Sequence, residues 1–231
     1  MPQYTIEGAE MQYIIAKLAD GEKIYADGGH LLYKSDSVKM STAMRGGLLS
    51  GLKRALTGGT FFVTEFDGPG EAGFAGIFPG KIFDIELDGR KTIMAEQHSF
   101  LLAENGVNYD AQLARLGAGI LAGEGLFFAK FHGIGKLFLH AYGGLKVFEL
   151  ISGEKIQVEA GHLLAFEDGM NYKIASVGGI KSMLFAHEGW FFVEIEGPGK
   201  VYLHTVTAQQ LARVIEPFIP RQGSSGVNIR L

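Results

Sequence analysis

Apolar and polar residues alternate along most of this chain with the period of two that marks half-buried β-strands. In one stretch Leu145, Val147, Glu149 and Ile151 alternate with Lys146, Phe148, Leu150 and Ser152, and Gly153 then turns the chain. The next run puts Ile156, Val158, Ala160, His162, Leu164 and Phe166 on one parity, which predicts a single long strand. Asp168-Gly169 is a turn pair, and Met170, Tyr172 and Ile174 follow it as another strand. The same order occurs twice earlier: Asn105-Gly106 precedes Val107, Tyr109 and Ala111, and Asp36-Ser37 precedes Val38, Met40 and Thr42.

Two sequence blocks repeat in phase with these strands. Phe61-Phe62-Val63-Thr64-Glu65-Phe66-Asp67-Gly68-Pro69-Gly70 returns as Phe127-Phe128-Ala129-Lys130-Phe131-His132-Gly133-Ile134-Gly135 and as Phe191-Phe192-Val193-Glu194-Ile195-Glu196-Gly197-Pro198-Gly199, at intervals of 66 and 64 residues. Gly21, Gly89 and Gly153 each open a short polar turn, and each has a histidine nine residues on: His30, His98 and His162. Two blocks in one register predict one unit copied three times, each copy completing its core against its neighbours. The expected boundaries are about 11–76, 81–143 and 145–206, inside one domain of residues 1–206. Copy one carries an extra residue before Gly68-Pro69-Gly70, which predicts a bulge in its strand. The linker 46–60 contains one candidate basic helix, 50–58. Beyond the repeats, Thr207 to Gln210 reads as a capping box, Leu211, Val214 and Ile215 share a helical face, and Pro217 stops the helix. Residues 207–231 are therefore expected to be a helix and a flexible, Gly/Ser-containing end.

Composition narrows the chemistry. The 231 residues are 47% hydrophobic and 20% charged, a balance that suits a well-buried globular core, and the 34 glycines suit short strands joined by turns. With no cysteine, disulfides, thiol catalysis and thiolate-held metal sites are excluded. A net charge of −4 leaves no electrostatic footprint for DNA or RNA. The opening residues lack a basic segment followed by an apolar run, and no stretch is long and apolar enough to span a membrane, so a soluble cytoplasmic protein is expected.

The candidate motifs mostly read as structure. Gly68 with Gly70, Gly133 with Gly135 and Gly197 with Gly199 lie between strand patterns and lack the Lys-Ser/Thr ending of a phosphate loop, so they read as hairpin turns. Gly21, Gly89 and Gly153 are expected at turns that need positive φ. If the copies surround an axis, His30, His98 and His162 form a ring, and three converging imidazoles are a possible zinc site. His140 and His204 match each other, but Ala75 breaks that set in copy one. Glu194 and Glu196 read as a solvated face. Phe128 and Phe192, on the parity opposite the core, mark a second core layer or a surface covered by another chain.

The triplicated β pattern and the three Phe-Phe … Gly-x-Gly blocks resemble the altered-inheritance-of-mitochondria family, number twenty-four, also called the mitochondrial biogenesis family, over about residues 3–206. That resemblance implies three tandem units like the tryptophan RNA-binding attenuation protein, arranged as a pseudo-threefold β-prism, and it brings no catalytic residue. The expectation is an all-β protein with a short C-terminal helix, a non-enzymatic binding or assembly module that needs no cofactor. Its expected partners are further copies of itself and an unidentified protein or small-molecule ligand. The alternatives are a metal-dependent, cupin-like enzyme using the repeated histidines, and single-stranded RNA binding, which the acidic charge disfavours.

Overall fold

The computed structural model describes residues 1–43, 63–111, 128–176 and 191–219. The candidate helix 50–58 lies outside them. The described chain is mostly β. After an opening strand β1 (Gln3–Glu7) come three units. Unit 1 holds β2 (Tyr13–Leu18), β3 (Lys23–Asp27), β4 (Leu31–Lys34), β5 (Lys39–Ala43), β6 (Val63–Asp67) and β7 (Gly70–Ala75). Unit 2 holds β8 (Gly80–Asp88), β9 (Ile93–Glu96), β10 (Phe100–Glu104), β11 (Val107–Ala111) and the long β12 (Phe128–Tyr142), which spans the places of two strands. Unit 3 holds β13 (Leu145–Leu150), β14 (Lys155–Glu159), β15 (Leu163–Glu167), β16 (Asn171–Ser176), β17 (Phe191–Glu196) and β18 (Gly199–His204). The α-helix α1 (Ala208–Ile215) follows.

The same antiparallel pairings recur in each unit. First strand pairs with last (β2–β7, β8–β12, β13–β18), second with fifth (β3–β6, β9–β12, β14–β17), fourth with fifth (β5–β6, β11–β12, β16–β17) and third with last (β4–β7, β10–β12, β15–β18). Gly21, Gly89 and Gly153, between the first two strands of each unit, have φ of 75°, 84° and 81°, a region where a Cβ is strained. Each third strand slips register at one residue against the last strand, between Leu31 and Tyr33, Phe100 and Leu102, and Leu163 and Ala165.

Three details depart from the strand pattern in the sequence. The run 156–166 is not one strand. A one-turn 3-10 helix, Ala160–His162, separates β14 from β15, as Gly28–His30 and Gln97–Ser99 do in the other units. Parity therefore does not carry across it, and β14 and β15 belong to different sheets. The bulge expected in copy one is also absent among the described residues, since β6 pairs in unbroken register with β3 and β5. Val63 instead occupies the position of Phe128 and Phe192: it faces Asp27, as they face Glu96 and Glu159. Third, Phe128 is core, not surface. It is 3% exposed and meets Phe166 edge-on with centroids 6.0 Å apart. Alternation predicts one wet face, but unit 3 covers that face of unit 2; Phe192, in the last unit, is only half-buried.

Units join when the third strand of one pairs with the second strand of the unit before: β10 with β3, and β15 with β9. Both junctions use one register, with Leu102 opposite Ala26 and Ala165 opposite Ala95. The core follows these junctions. The unit 1 cluster around Phe66 and Phe74 takes in Leu101, Leu102 and Phe138 from unit 2. Unit 3's cluster takes in Met94 and Phe128, and unit 2's cluster takes in Tyr25 from one side and Leu164, Ala165 and Tyr202 from the other. A third junction, β4 with β14, would close a body around an internal axis. Those strands lie in separate sheets, so the described residues show two such junctions and no closed barrel.

Candidate functional site

The short turns between the second and third strands bring the chemically active side chains together. In unit 1 the Asp27 carboxylate accepts the Gly29 amide at 2.9 Å and fixes the turn that carries His30. In unit 2 Glu96 holds the same place and His98 follows. Unit 3 contributes Gly161 from its turn and His204 from the end of β18. All of these line an open cavity of about 480 Å³. Its remaining walls are Ile77 and Phe78, the Tyr142 ring, and Ala208, Gln209 and Ala212 of α1.

None of the residues of α1 is buried, and the helix meets the sheet at His162. Its capping box is complete: the Thr207 hydroxyl accepts the Gln210 amide at 3.0 Å, and the Gln210 side-chain oxygen accepts the Thr207 amide at 3.0 Å. The Gln210 amide nitrogen also reaches His162 Nε2 at 3.4 Å. His162 Nδ1 donates to the His204 carbonyl at 2.7 Å, so that ring carries its proton on Nδ1 and can accept at Nε2. His162 thus ties helix to sheet beside the cavity.

Burial disfavours the charged forms of the interior groups. His204 Nε2 donates to the Gly161 carbonyl at 2.7 Å, so its buried Nδ1 is a lone pair, and it has no partner among the described residues. His30 Nδ1 is buried without a partner as well. Desolvation holds both imidazoles below the usual histidine range, and neighbouring His98 and His162 add to the effect. His140, fully buried behind Tyr142, is pushed down to about 4 by desolvation and by the neighbouring His30 and His204. Glu96, 4% exposed, moves the other way, up to about 7, because burial disfavours its anion more than the His98 and Ser99 amides stabilise it. Tyr142 stacks on His204 with centroids 5.2 Å apart, and its hydroxyl donates to the His98 carbonyl at 3.2 Å.

The three histidines singled out in the sequence do not form one ring. His30 and His98 both line the cavity, whereas His162 is engaged by the His204 carbonyl and α1. In the register set by β3 and β9, Ser99 occupies the place of His30 and His162, and His98 falls one residue earlier. The cause is one additional residue between Gly89 and Ile93, compared with Gly21 to Ile24. Among the described residues no three His, Asp or Glu side chains are grouped so as to hold a metal ion. Glu194 and Glu196 lie away from this site, paired with Lys173 at 3.0 Å and Lys155 at 3.2 Å.

Glu96, Tyr142, His204 and α1 were not singled out as one site by sequence reasoning. One available signal was the acid that ends each second strand, Asp27, Glu96 and Glu159, just before a turn holding a histidine. No spacing rule brings Tyr142 or α1 to those turns, because Tyr142 ends a last strand and α1 follows one, and the position of each depends on pairing.

No helix among the described residues is long and apolar enough to cross a membrane. Comparison with curated proteins finds no match. Among solved structures, the crystal structure of a Streptococcus pyogenes protein is similar, with a TM-score of 0.77 at 23% identity, covering 95% of this chain and 100% of that one. At that identity the likeness speaks for the fold. The family evidence comes from sequence: the profile described as Mitochondrial biogenesis AIM24 matches residues 4–206, a span that takes in all three units and both junctions, and the chain belongs to that family.

Proposed function

We propose that the protein is a non-enzymatic binding module whose units are TRAP-like, and that its ligand is a small, uncharged, amphipathic molecule held in the cavity between the turns and α1. The observation that supports this most is the pair of buried imidazole nitrogens without a partner among the described residues, His30 Nδ1 and His204 Nδ1, at a cavity with Ile77, Phe78 and alanine walls. A buried polar atom without a hydrogen bond costs on the order of 1–3 kcal/mol, which a ligand hydroxyl or amine would recover. About 480 Å³ falls within the range of small-molecule sites, roughly 300–1,000 Å³. Burial disfavours the charged forms of Glu96, His30 and His204, and the Asp27 carboxylate is engaged by the Gly29 amide, so the lining favours a neutral ligand over an ionic one.

Native mass spectrometry of gently purified protein tests this reading. An adduct of a few hundred daltons is expected, and it should vanish in Ala212→Trp, which fills the cavity from the exposed helix without touching the core. The apo melting temperature of that variant should stay within a few degrees of the parent. An adduct that persists with the cavity filled, or no adduct together with no melting shift from any member of a neutral metabolite set, would remove the proposal.

A further inference from the structure

The two internal junctions show what an unpaired edge of this fold pairs with, and the described residues carry one spare edge of each kind. β4 ends its sheet, and β14 ends another. Their counterparts are β10 and β15 on one side and β3 and β9 on the other, and those are joined. The exposure pattern agrees. Leu101 and Leu164, at the slipped position of their third strands, are fully buried, whereas Leu32 at that position in β4 is 58% exposed. Leu102 and Ala165 are fully buried, whereas Tyr33 is 41% exposed. On the other edge, Tyr25 and Met94 are buried in their second strands, whereas Gln157 is exposed.

We propose that β4 of one molecule pairs with β14 of a second copy, antiparallel and head to tail, repeating the internal junction between chains. The occupant is a copy of this chain because both halves of the pairing are present in it and unused among its described residues. Carrying the internal register across places Tyr33 opposite Val158, and Lys34 opposite Gln157, as Ala103 lies opposite Tyr25 and Phe166 opposite Met94. The junction covers Leu32, Tyr33 and the half-exposed Phe192. Because its two surfaces differ, each molecule keeps one free edge of each kind, and growth continues until a ring closes.

The chain has no cysteine, so introduced thiols report on this seam alone. Lys34→Cys and Gln157→Cys change side chains that are not buried, and directly opposed strand residues come within disulfide reach. Under mild oxidation, each variant alone should stay at the 25.0 kDa of one chain on a non-reducing gel, and their mixture should give a species of twice that mass. The dimer yield should exceed that of a mixture of Lys146→Cys with Gln157→Cys by about tenfold, because a docked pair raises the effective thiol concentration. No excess of dimer in the mixture overturns the proposal. Equal dimer from either variant alone means an edge pairing with its own kind, and a Lys34→Cys/Gln157→Cys double variant linked within one chain means internal closure; each of these also overturns it.

Discussion

Glu96→Gln is expected to stabilise the protein by on the order of 3 kcal/mol at pH 8 and to leave it almost unchanged at pH 4. The buried carboxyl titrates near 7 when folded and near 4.5 when unfolded. The folded state therefore holds a proton that the unfolded state has released across that window. The stability this confers is fully present below about 4.5 and is lost as pH rises through about 7. Above that, folding must bury an anion. Glutamine removes the ionisation and keeps an oxygen for the His98 and Ser99 amides. The histidines act with the opposite sign: His140 is depressed from 6.5 to about 4, so its contribution is present above 6.5 and is lost as pH falls through about 4, and His30 and His204 are shifted in the same direction. Wild-type stability should therefore fall on both sides of about pH 6.5, and Glu96→Gln should flatten only the alkaline limb. Urea unfolding followed by circular dichroism between pH 4 and 8 measures this; an unaltered alkaline limb would mean that the Glu96 carboxyl is hydrated in solution.

The all-β class and the family were legible because they rest on signals that repeat: period-two alternation, glycine-punctuated turns and three Phe-Phe blocks in register. The details that failed depend on neighbours. Strand parity left Phe128 open between a second core layer and a covered surface, because alternation does not say what packs on the second face; unit 3 packs there. Parity ran one strand from Ile156 to Phe166 because a three-residue 3-10 turn leaves the alternation intact while redirecting the chain into another sheet. Counting from the turn glycines put three histidines in one phase, but strand pairing, not the glycine, sets the phase, and the residue added after Gly89 moves His98 by one. The cavity was the least legible feature. Its walls come from three turns, the ends of β12 and β18, the segment after β7 and α1, so its existence depends on the junctions between units. What sets Glu96 and His140 apart is burial, which composition does not encode.

Phe100→Ala is expected to cost about 3–5 kcal/mol and Phe100→Leu about 1–1.5 kcal/mol. Phe100 is fully buried where units 1 and 2 meet, with its ring stacked against Tyr25 at 5.6 Å and Phe131 at 5.4 Å. Tyr25 belongs to unit 1 and Phe131 to unit 2, so truncation opens a cavity in a seam and leaves both partner rings short of contacts. Leucine is the residue at this position in the other two units, Leu31 and Leu163, so it suits the backbone there and loses only the stacking and part of the volume. Because each core cluster borrows residues from the adjoining unit, the loss should fall on the whole body: the urea midpoint should drop while the slope of the transition stays constant. A shallower transition or two separate ones would show that the units unfold independently and that the junction contributes less than its buried aromatic surface implies.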